Sequence, residues 1–219
     1  MAIVFTCTKD DSFDEALDAA KDALTLGDLV VMPTDTVYGL AADAFSGKAV
    51  QKLLSAKGRT RQMPPPVLVS APTTIDALAT DIPAWVRDMI AELWPGPLTV
   101  ICHQQPSLDW DLGETRGTVA IRMPDDPIAL QLLKQTGPLA VSSANLTGQP
   151  AALTVADAQT MLGDSVAVYL DGGPSTLGEP STIVDVTGAT VRVLRQGVVD
   201  LATLHRFNNT IVPASGGHD

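Results

Sequence analysis

The stretch TVAIRMPDDPIALQLLKQTGPLAVSSANLTG, residues 118–148, decides the fold. TVAIRM (118–123) is a short apolar run with β-branched residues, the composition of a strand. DDP (125–127) caps a helix over residues 128–135, and Gly137 ends it. LAVSS (139–143) then returns as a second strand and runs into a polar turn. Strand, helix and strand in so short a span are the signature of an α/β chain.

The alternation continues in both directions. Upstream, Ser12 to Glu15 reads as a capping box before Phe13, Ala16, Leu17, Ala20 and Leu24 at helical spacing, with Gly27 as the stop. LVVM (29–32), a helix over 49–57 and VLVS (67–70) follow. A helix is expected from Pro83, with Pro83 in its first turn and Trp85, Met89 and Leu93 inward. WPGP (94–97) is a turn, LTVIC (98–102) a strand, and 103–117 a loop. Downstream come a helix over 154–162, a strand VAVYL (166–170), a Gly/Pro/Ser/Thr-rich loop (172–181), a hairpin of TIVDV (182–186) with VRVLR (191–195), and a last helix over 200–206. No repeat or linker breaks the chain, so residues 1–207 are read as one mixed α/β domain, with 208–219 an expected disordered tail.

The 219 residues carry a formal charge of −11. That counts against a broad nucleic-acid face, though the basic residues remain free to gather in one cleft. Cys7 and Cys102 are too few for a disulfide framework. No signal-peptide pattern opens the chain and no apolar run approaches a membrane span. A soluble, cytoplasmic protein without a membrane partner is expected.

Three polar segments follow strands or helices, where ligands of open α/β sheets gather. PTDTVYGLAAD (33–43) puts Thr34, Asp35 and Thr36 just beyond a strand, and is equally read as a turn whose hydroxyls cap the backbone. KGRTRQMPPP (57–66) spaces Lys57, Arg59 and Arg61 two residues apart, so that in extended backbone the three cations would line one wall of an anion site. Helix-dipole complementarity explains Lys57 alone. AVSSANLTG (140–148) ends a strand in Ser142, Ser143 and Asn145, which are phosphate- or sugar-holding groups or simply a polar turn. Arg122 lies inside an apolar strand, either facing solvent or paired with a carboxylate, and Arg195 closes another.

The chain lacks GxxxxGK[ST], GxGxxG and GxSxG, and its three histidines have no metal-ligand spacing. Structural metal and histidine-based nucleophilic catalysis are not expected. A cationic pocket without a nucleophile works by positioning and charge stabilisation.

Taken in order, Lys57-Gly58-Arg59, Ser143-Ala144-Asn145, PTDTVYGLAAD, WPGPLT, TVAIRMP and PSTIVD resemble the threonylcarbamoyl-AMP synthase (YrdC-like) family over roughly residues 12–197. The resemblance implies a single-domain, twisted open α/β sheet (an α+β mixed sheet) with a concave ligand cleft. It implies an L-threonylcarbamoyladenylate synthase, a nucleotidyltransferase joining L-threonine, bicarbonate or CO2 and ATP, with pyrophosphate released. Partner transferases would carry the product to tRNA as threonylcarbamoyladenosine; direct tRNA contact is left open. By similarity, Lys57, Arg59, Ser143 and Asn145 are catalytic. Thr34, Arg122, Ser142 and Thr182 would hold threonine, and Lys57, Arg61, Thr118, Ala144 and Arg195 would lie at the nucleotide. Mg2+ is expected with ATP, held mainly by the phosphates.

The chain departs from the family pattern at Thr60, Met63-Pro64-Pro65 and Leu68, the last standing where a His is often found. Its length resembles the family's short form. Hydrogenase-maturation carbamoyltransferases share a similar domain but carry zinc-binding cysteine motifs that this sequence does not have. A double-stranded RNA or ribosome-binding module of the same fold is the alternative from another class, and the acidic charge weighs against it.

Overall fold

The computed structural model describes residues 2–7 and 13–213. Its elements in chain order are β1 (Ile3–Thr6), α1 (Phe13–Thr25), β2 (Val30–Met32), β3 (Gly39–Asp43), α2 (Gly47–Ala56), β4 (Val67–Leu68), α3 (Ile75–Leu78), β5 (Ala79–Thr80), α4 (Ala84–Leu93), β6 (Leu98–Gln104), β7 (Thr118–Arg122), α5 (Pro127–Thr136), β8 (Leu139–Ser143), α6 (Val155–Leu162), β9 (Val168–Asp171), β10 (Thr182–Asp185), β11 (Arg192–Arg195) and α7 (Leu201–His205). The strands join one mixed sheet in the order β1-β9-β2-β3-β8-β4-β7-β6-β10-β11, with β5 beside β6. The β1–β9, β9–β2, β4–β7 and β6–β10 pairs are parallel and the others antiparallel. The open, mixed α/β sheet expected from the sequence is the fold observed.

Strand alternation builds two cores. Val30, Met32, Ala41, Leu139, Val141, Val168 and Leu170 face one side and pack on α1 and α5. Their neighbours Val31, Leu40, Ala42, Ala140 and Tyr169 face the other side, with Val67, Val100, Ile121, Val184 and Val193 and with α2, α4 and α6. The α1/α5 layer covers only the half of its face beneath β9, β2, β3 and β8. Over β4, β7, β6 and β10, that face opens into a cavity.

The cap read at Asp126 and the stop read at Gly137 act locally, while Thr154, taken as the first residue of a helix over 154–162, is the N-cap of α6. Asp126 accepts from the Ala129 amide at 2.9 Å at the start of α5, and Gly137 ends that helix at φ +80°. Thr154 and Asp157 close a reciprocal capping box on α6. The Ser12 cap lies outside the described residues.

Several expectations are corrected. Pro83 is the N-cap of α4 rather than a first-turn residue. The fully buried residues of α4 are Val86, Met89 and Ile90, and Trp85 and Leu93 pack half-buried against the same core, as expected. Residues 208–213 are ordered onto the domain at one point: Ile211 is buried and its carbonyl contacts the His205 ring at 2.8 Å, while Val212 bridges Arg192 and Asn209, Thr210 and Pro213 stay exposed. An apolar pair in a polar tail was enough to dock it. Residues 214–219 lie outside the described residues.

The GLAAD segment, read as part of a turn, is strand β3 at the sheet's centre. It has no β-branched residue, so propensity gave no signal. Gly39 is what allows it: a Cβ there would sit 2.6 Å from Val141 Cγ1. Gly39→Ala is expected to destabilise by about 1–3 kcal/mol through overpacking. Urea unfolding checks this, and adding Val141→Ala should recover much of the loss.

Candidate functional site

The cavity encloses about 680 Å³ and rests on the helix-free half of the sheet. Its floor comes from every second residue of neighbouring strands: Thr99 and Ile101, Ala120 and Arg122, Ile183, and Leu68. The alternate residues Val100, Ile121, Val184 and Val67 belong to the core behind. The ligand space is therefore on a sheet face, with the polar loops forming its rim, rather than simply beyond the strand ends.

The KGR and SAN segments are stitched together. Lys57 is the C-cap of α2, is 1% exposed, and points its ammonium at the SAN loop. Its Nζ donates to Asn145 O at 2.7 Å, to Asn145 Oδ1 at 3.2 Å and to the Ser143 carbonyl. In return the Thr147 amide donates to Lys57 O at 3.0 Å. Asn145 completes its amide by donating to the Gln149 and Leu146 carbonyls at 2.6 and 2.9 Å. Next along, Arg59 Nη1 donates to Ser142 Oγ at 2.8 Å, while its buried Nε–H has no partner. An unsatisfied buried donor is unfavourable, and a ligand oxygen at Arg59 would relieve it.

The PTDT turn is both things the sequence allowed. Thr34 Oγ1 donates to Val37 O at 2.6 Å and accepts from the Thr36 and Val37 amides, capping its own turn. It also lines the cavity. Beside it, Asp35 forms a buried ion pair with Arg122, both side chains 7% exposed. Arg122 further donates to Gly96 O at 3.0 Å and Thr36 Oγ1 at 2.8 Å. A guanidinium has five N–H groups, so donors remain for a ligand carboxylate. Arg195 reaches in from β11 and fixes Ser181 through its carbonyl and hydroxyl, at 2.8–3.0 Å. Ser181 also shares a hydrogen bond with Thr99 at 2.8 Å.

Of the sequence-derived candidates, Thr34, Arg59, Thr118, Arg122, Ser142, Ser143, Asn145 and Arg195 line the cavity. Four expectations change. Lys57 lies beneath the rim and grips loop carbonyls, so the three cations do not form one wall. Arg61 turns outward to Asp111 at 2.6 Å and is absent from the lining. Thr182 faces the opposite side of β10, where its hydroxyl donates to Val199 O at 2.7 Å; its neighbour Ser181 faces the cavity instead. Ala144 is fully buried, and its amide is taken by Tyr38 O at 2.8 Å. Strand parity accounts for Thr182, and a local carboxylate for Arg61. Asp35 and Ser181 were not among the site residues. An arginine among apolar strand neighbours was the available signal that a buried carboxylate must exist.

Arg59, Arg122 and Arg195 line the cavity, and no carboxylate does among the described residues. Asp35 answers Arg122, leaving Arg59 and Arg195 uncompensated. Burial lowers the Arg195 pKa, as do the nearby Arg122 and Arg59 charges. Burial and the adjacent Arg59 bring Lys57 down to about 7. The ammonium is thus charged below neutral pH and loses its proton above it, whereas an exposed lysine titrates near 10.4. An anion at Arg59 would favour the charged form and raise this value. Lysine side-chain NMR should show one signal with a midpoint near 7, lost in Lys57→Met and shifted upward by a non-hydrolysable ATP analogue. A midpoint near 10.4 without ligand would contradict the desolvation.

Outside the cavity, Lys52, Arg61, Arg87 and Arg206 each pair with a carboxylate. These four cations are answered locally by carboxylates, so they do not add up to a wide basic groove of the kind an RNA-binding module needs.

The open mixed sheet carries a cavity lined by Arg59, Arg122 and Arg195 and, among the described residues, by no carboxylate, which defines an α/β protein with a cationic cleft. The chain belongs to the Sua5/YciO/YrdC family, whose model, described as telomere recombination, matches residues 22–197. A relative in Mycobacterium tuberculosis named as a candidate threonylcarbamoyl-AMP synthase is 51% identical over 199 residues, 91% of this chain and 92% of the relative. The threonylcarbamoyl-AMP synthase of Bacillus subtilis is 35% identical, over 84% of this chain and 54% of its own length. Sua5 of Pyrococcus abyssi, solved in complex with L-threonine, superposes with a TM-score of 0.88 at 29% identity. That match covers 97% of this chain, which spans 62% of the archaeal one. No helix among the described residues is long and apolar enough to cross a membrane.

Proposed function

We propose that this chain is an L-threonylcarbamoyladenylate synthase, acting as a nucleotidyltransferase on L-threonine, bicarbonate or CO2, and ATP. The observation that carries the reading is the cavity where Arg59 and Arg195 face a ligand space free of carboxylates. The apolar floor of Ile101, Ala120 and Ile183 suits a nucleobase, and the guanidiniums suit its phosphates. Arg122, with donors to spare beside Thr34 and Ser142, suits an amino-acid carboxylate. The threonine complex of the archaeal relative supports threonine as the amino acid.

In this reading, threonine's amine takes up CO2 to give a carbamate. A carbamate oxygen attacks the α-phosphorus of ATP, the bond between that phosphorus and the β-phosphate bridging oxygen breaks, and pyrophosphate leaves. The chain works by alignment and charge stabilisation, as phosphoryl-transfer sites do. Arg59, held by Ser142, lies between the two substrate regions and meets the charge developing on the phosphates. Lys57 acts through the Ser143–Asn145 loop, fixing where those groups stand. The lining supplies hydroxyls but no carboxylates for a cation, so Mg2+ enters as the Mg2+–ATP substrate. The product is a hydrolysable mixed anhydride, passed to proteins that modify tRNA.

The test is pyrophosphate release from Mg2+–ATP and bicarbonate with each amino acid in turn. Release with threonine, together with recovery of threonylcarbamoyl-AMP, is the expected result. Release with serine but not threonine would replace the substrate, and no release with any amino acid would end the proposal.

A further inference from the structure

Outside the substrate contacts, one arrangement joins two chain segments that share no secondary structure. Segment 59–66 supplies Arg59, Met63 and the three prolines to the cavity, and segment 112–118 supplies Leu112, Thr115 and Thr118. Asp111 connects them. Its Oδ1 accepts from Arg61 Nη2 at 2.6 Å and from the Gly113 amide at 3.1 Å. The Glu114 amide closes the junction by donating to Arg61 O at 2.7 Å. Gly113, at φ +106°, permits this approach, because a Cβ there would lie 2.7 Å from Arg61 O. Behind Asp111, its Cβ lies 3.1 Å from where a Gly47 side chain would begin, and Trp110 meets the Phe45 ring with centroids 5.6 Å apart. The 110–114 turn is thus seated on the start of α2 and buttoned to Arg61.

We propose that Asp111 is a positioning residue, which through Arg61 clasps the 59–66 and 112–118 segments into one wall of the cavity. The effect on substrate rests on the nucleotide-binding reading above. Both partners are about half-exposed, at 46% and 50%. An exposed ion pair contributes little to global stability, so its place at the junction of two cavity-lining loops is better explained by loop register than by folding. The Arg61 charge is answered by Asp111, and the cavity keeps the free guanidiniums of Arg59 and Arg195. The clasp therefore acts on the position of Arg59 and Thr115 rather than by direct attraction of the ligand.

The full chain bearing Asp111→Ala, Arg61→Ala or both tests this, with three readouts: amide exchange, melting, and calorimetry with a non-hydrolysable ATP analogue. Each single variant should speed exchange in residues 60–64 and 110–115. Each should weaken analogue binding roughly tenfold, the scale of one ligand hydrogen bond lost, with a melting temperature within about 2 °C of the parent. The double variant should be no worse than either single one, because both remove the same link. Unchanged exchange in the two segments would overturn the proposal. So would tighter binding by Asp111→Ala, which would mean that Asp111 merely withholds Arg61 from the ligand. Additive losses in the double variant would also overturn it, since Arg61 would then have a separate role. If the parent protein binds no ATP analogue, the nucleotide reading fails, while the exchange comparison still decides the clasp.

Discussion

Arg59→Ala should lower threonine-dependent pyrophosphate release by about 10²–10³-fold, the loss seen when one preorganised transition-state donor is removed. Arg59 lines the cavity, is held by Ser142 at 2.8 Å, and presents a buried Nε–H without a partner. Its removal takes away one of the two cavity guanidiniums without a carboxylate partner and leaves Ser142 without this donor. The side chain is only partly buried and its removal also relieves an unsatisfied buried donor, so stability should change by less than about 1 kcal/mol. Steady-state kinetics beside a urea titration separates the two effects. A tenfold or smaller loss of kcat/KM would show that Arg59 is peripheral. Lys57 differs in kind. Its ammonium is buried under the SAN loop, so Lys57→Ala would strand three carbonyl oxygens and cost both activity and stability.

Asp35→Ala should destabilise the fold by about 3–5 kcal/mol, because it leaves the Arg122 guanidinium buried and unpaired. The remaining partners of Arg122, Gly96 O and Thr36 Oγ1, carry no charge to answer it. The Asp125 amide would also lose its acceptor, which it now reaches at 3.1 Å. Replacing both members by Asp35→Leu with Arg122→Met should restore most of the stability, since apolar residues of similar size substitute well for a buried pair. Threonine binding should not return, because the carboxylate partner is gone. Denaturant midpoints of the three variants, with threonine titrations on the stable ones, check both halves. A stable Asp35→Ala protein would contradict a desolvated pair.

Much of this was legible in the sequence, for reasons that differ by residue. Helix α5 was legible because its ends carry chemistry, Asp126 before Pro127 and Gly137 after it, whereas the Thr154–Asp157 box that starts α6 was passed over. The family motifs identified the rim of the cavity because polar turns after strands bring Thr34, Ser142, Ser143 and Asn145 together. Strand β3 was hidden by its Gly-Leu-Ala-Ala composition, whose function is close approach to Val141 rather than β propensity. The face of Thr182 was set by register against β6, which pairs Thr182 with Leu98 across the sheet and leaves Ser181 and Ile183 toward the cavity. Arg61 was drawn out of the expected wall by a carboxylate fifty positions away. No local pattern reports such a pairing, because it depends on two loops meeting over the sheet.

We propose the uncovered half of one sheet face as a polyanion site that works through the uncompensated guanidiniums of Arg59 and Arg195. Calorimetry of a non-hydrolysable ATP analogue against the parent chain and against Arg59→Ala/Arg195→Ala tests it most directly. One-to-one binding by the parent, weakening as salt is added, and no measurable binding by the double variant are expected. Equal affinity in the two proteins, or binding indifferent to salt in the parent, would contradict it.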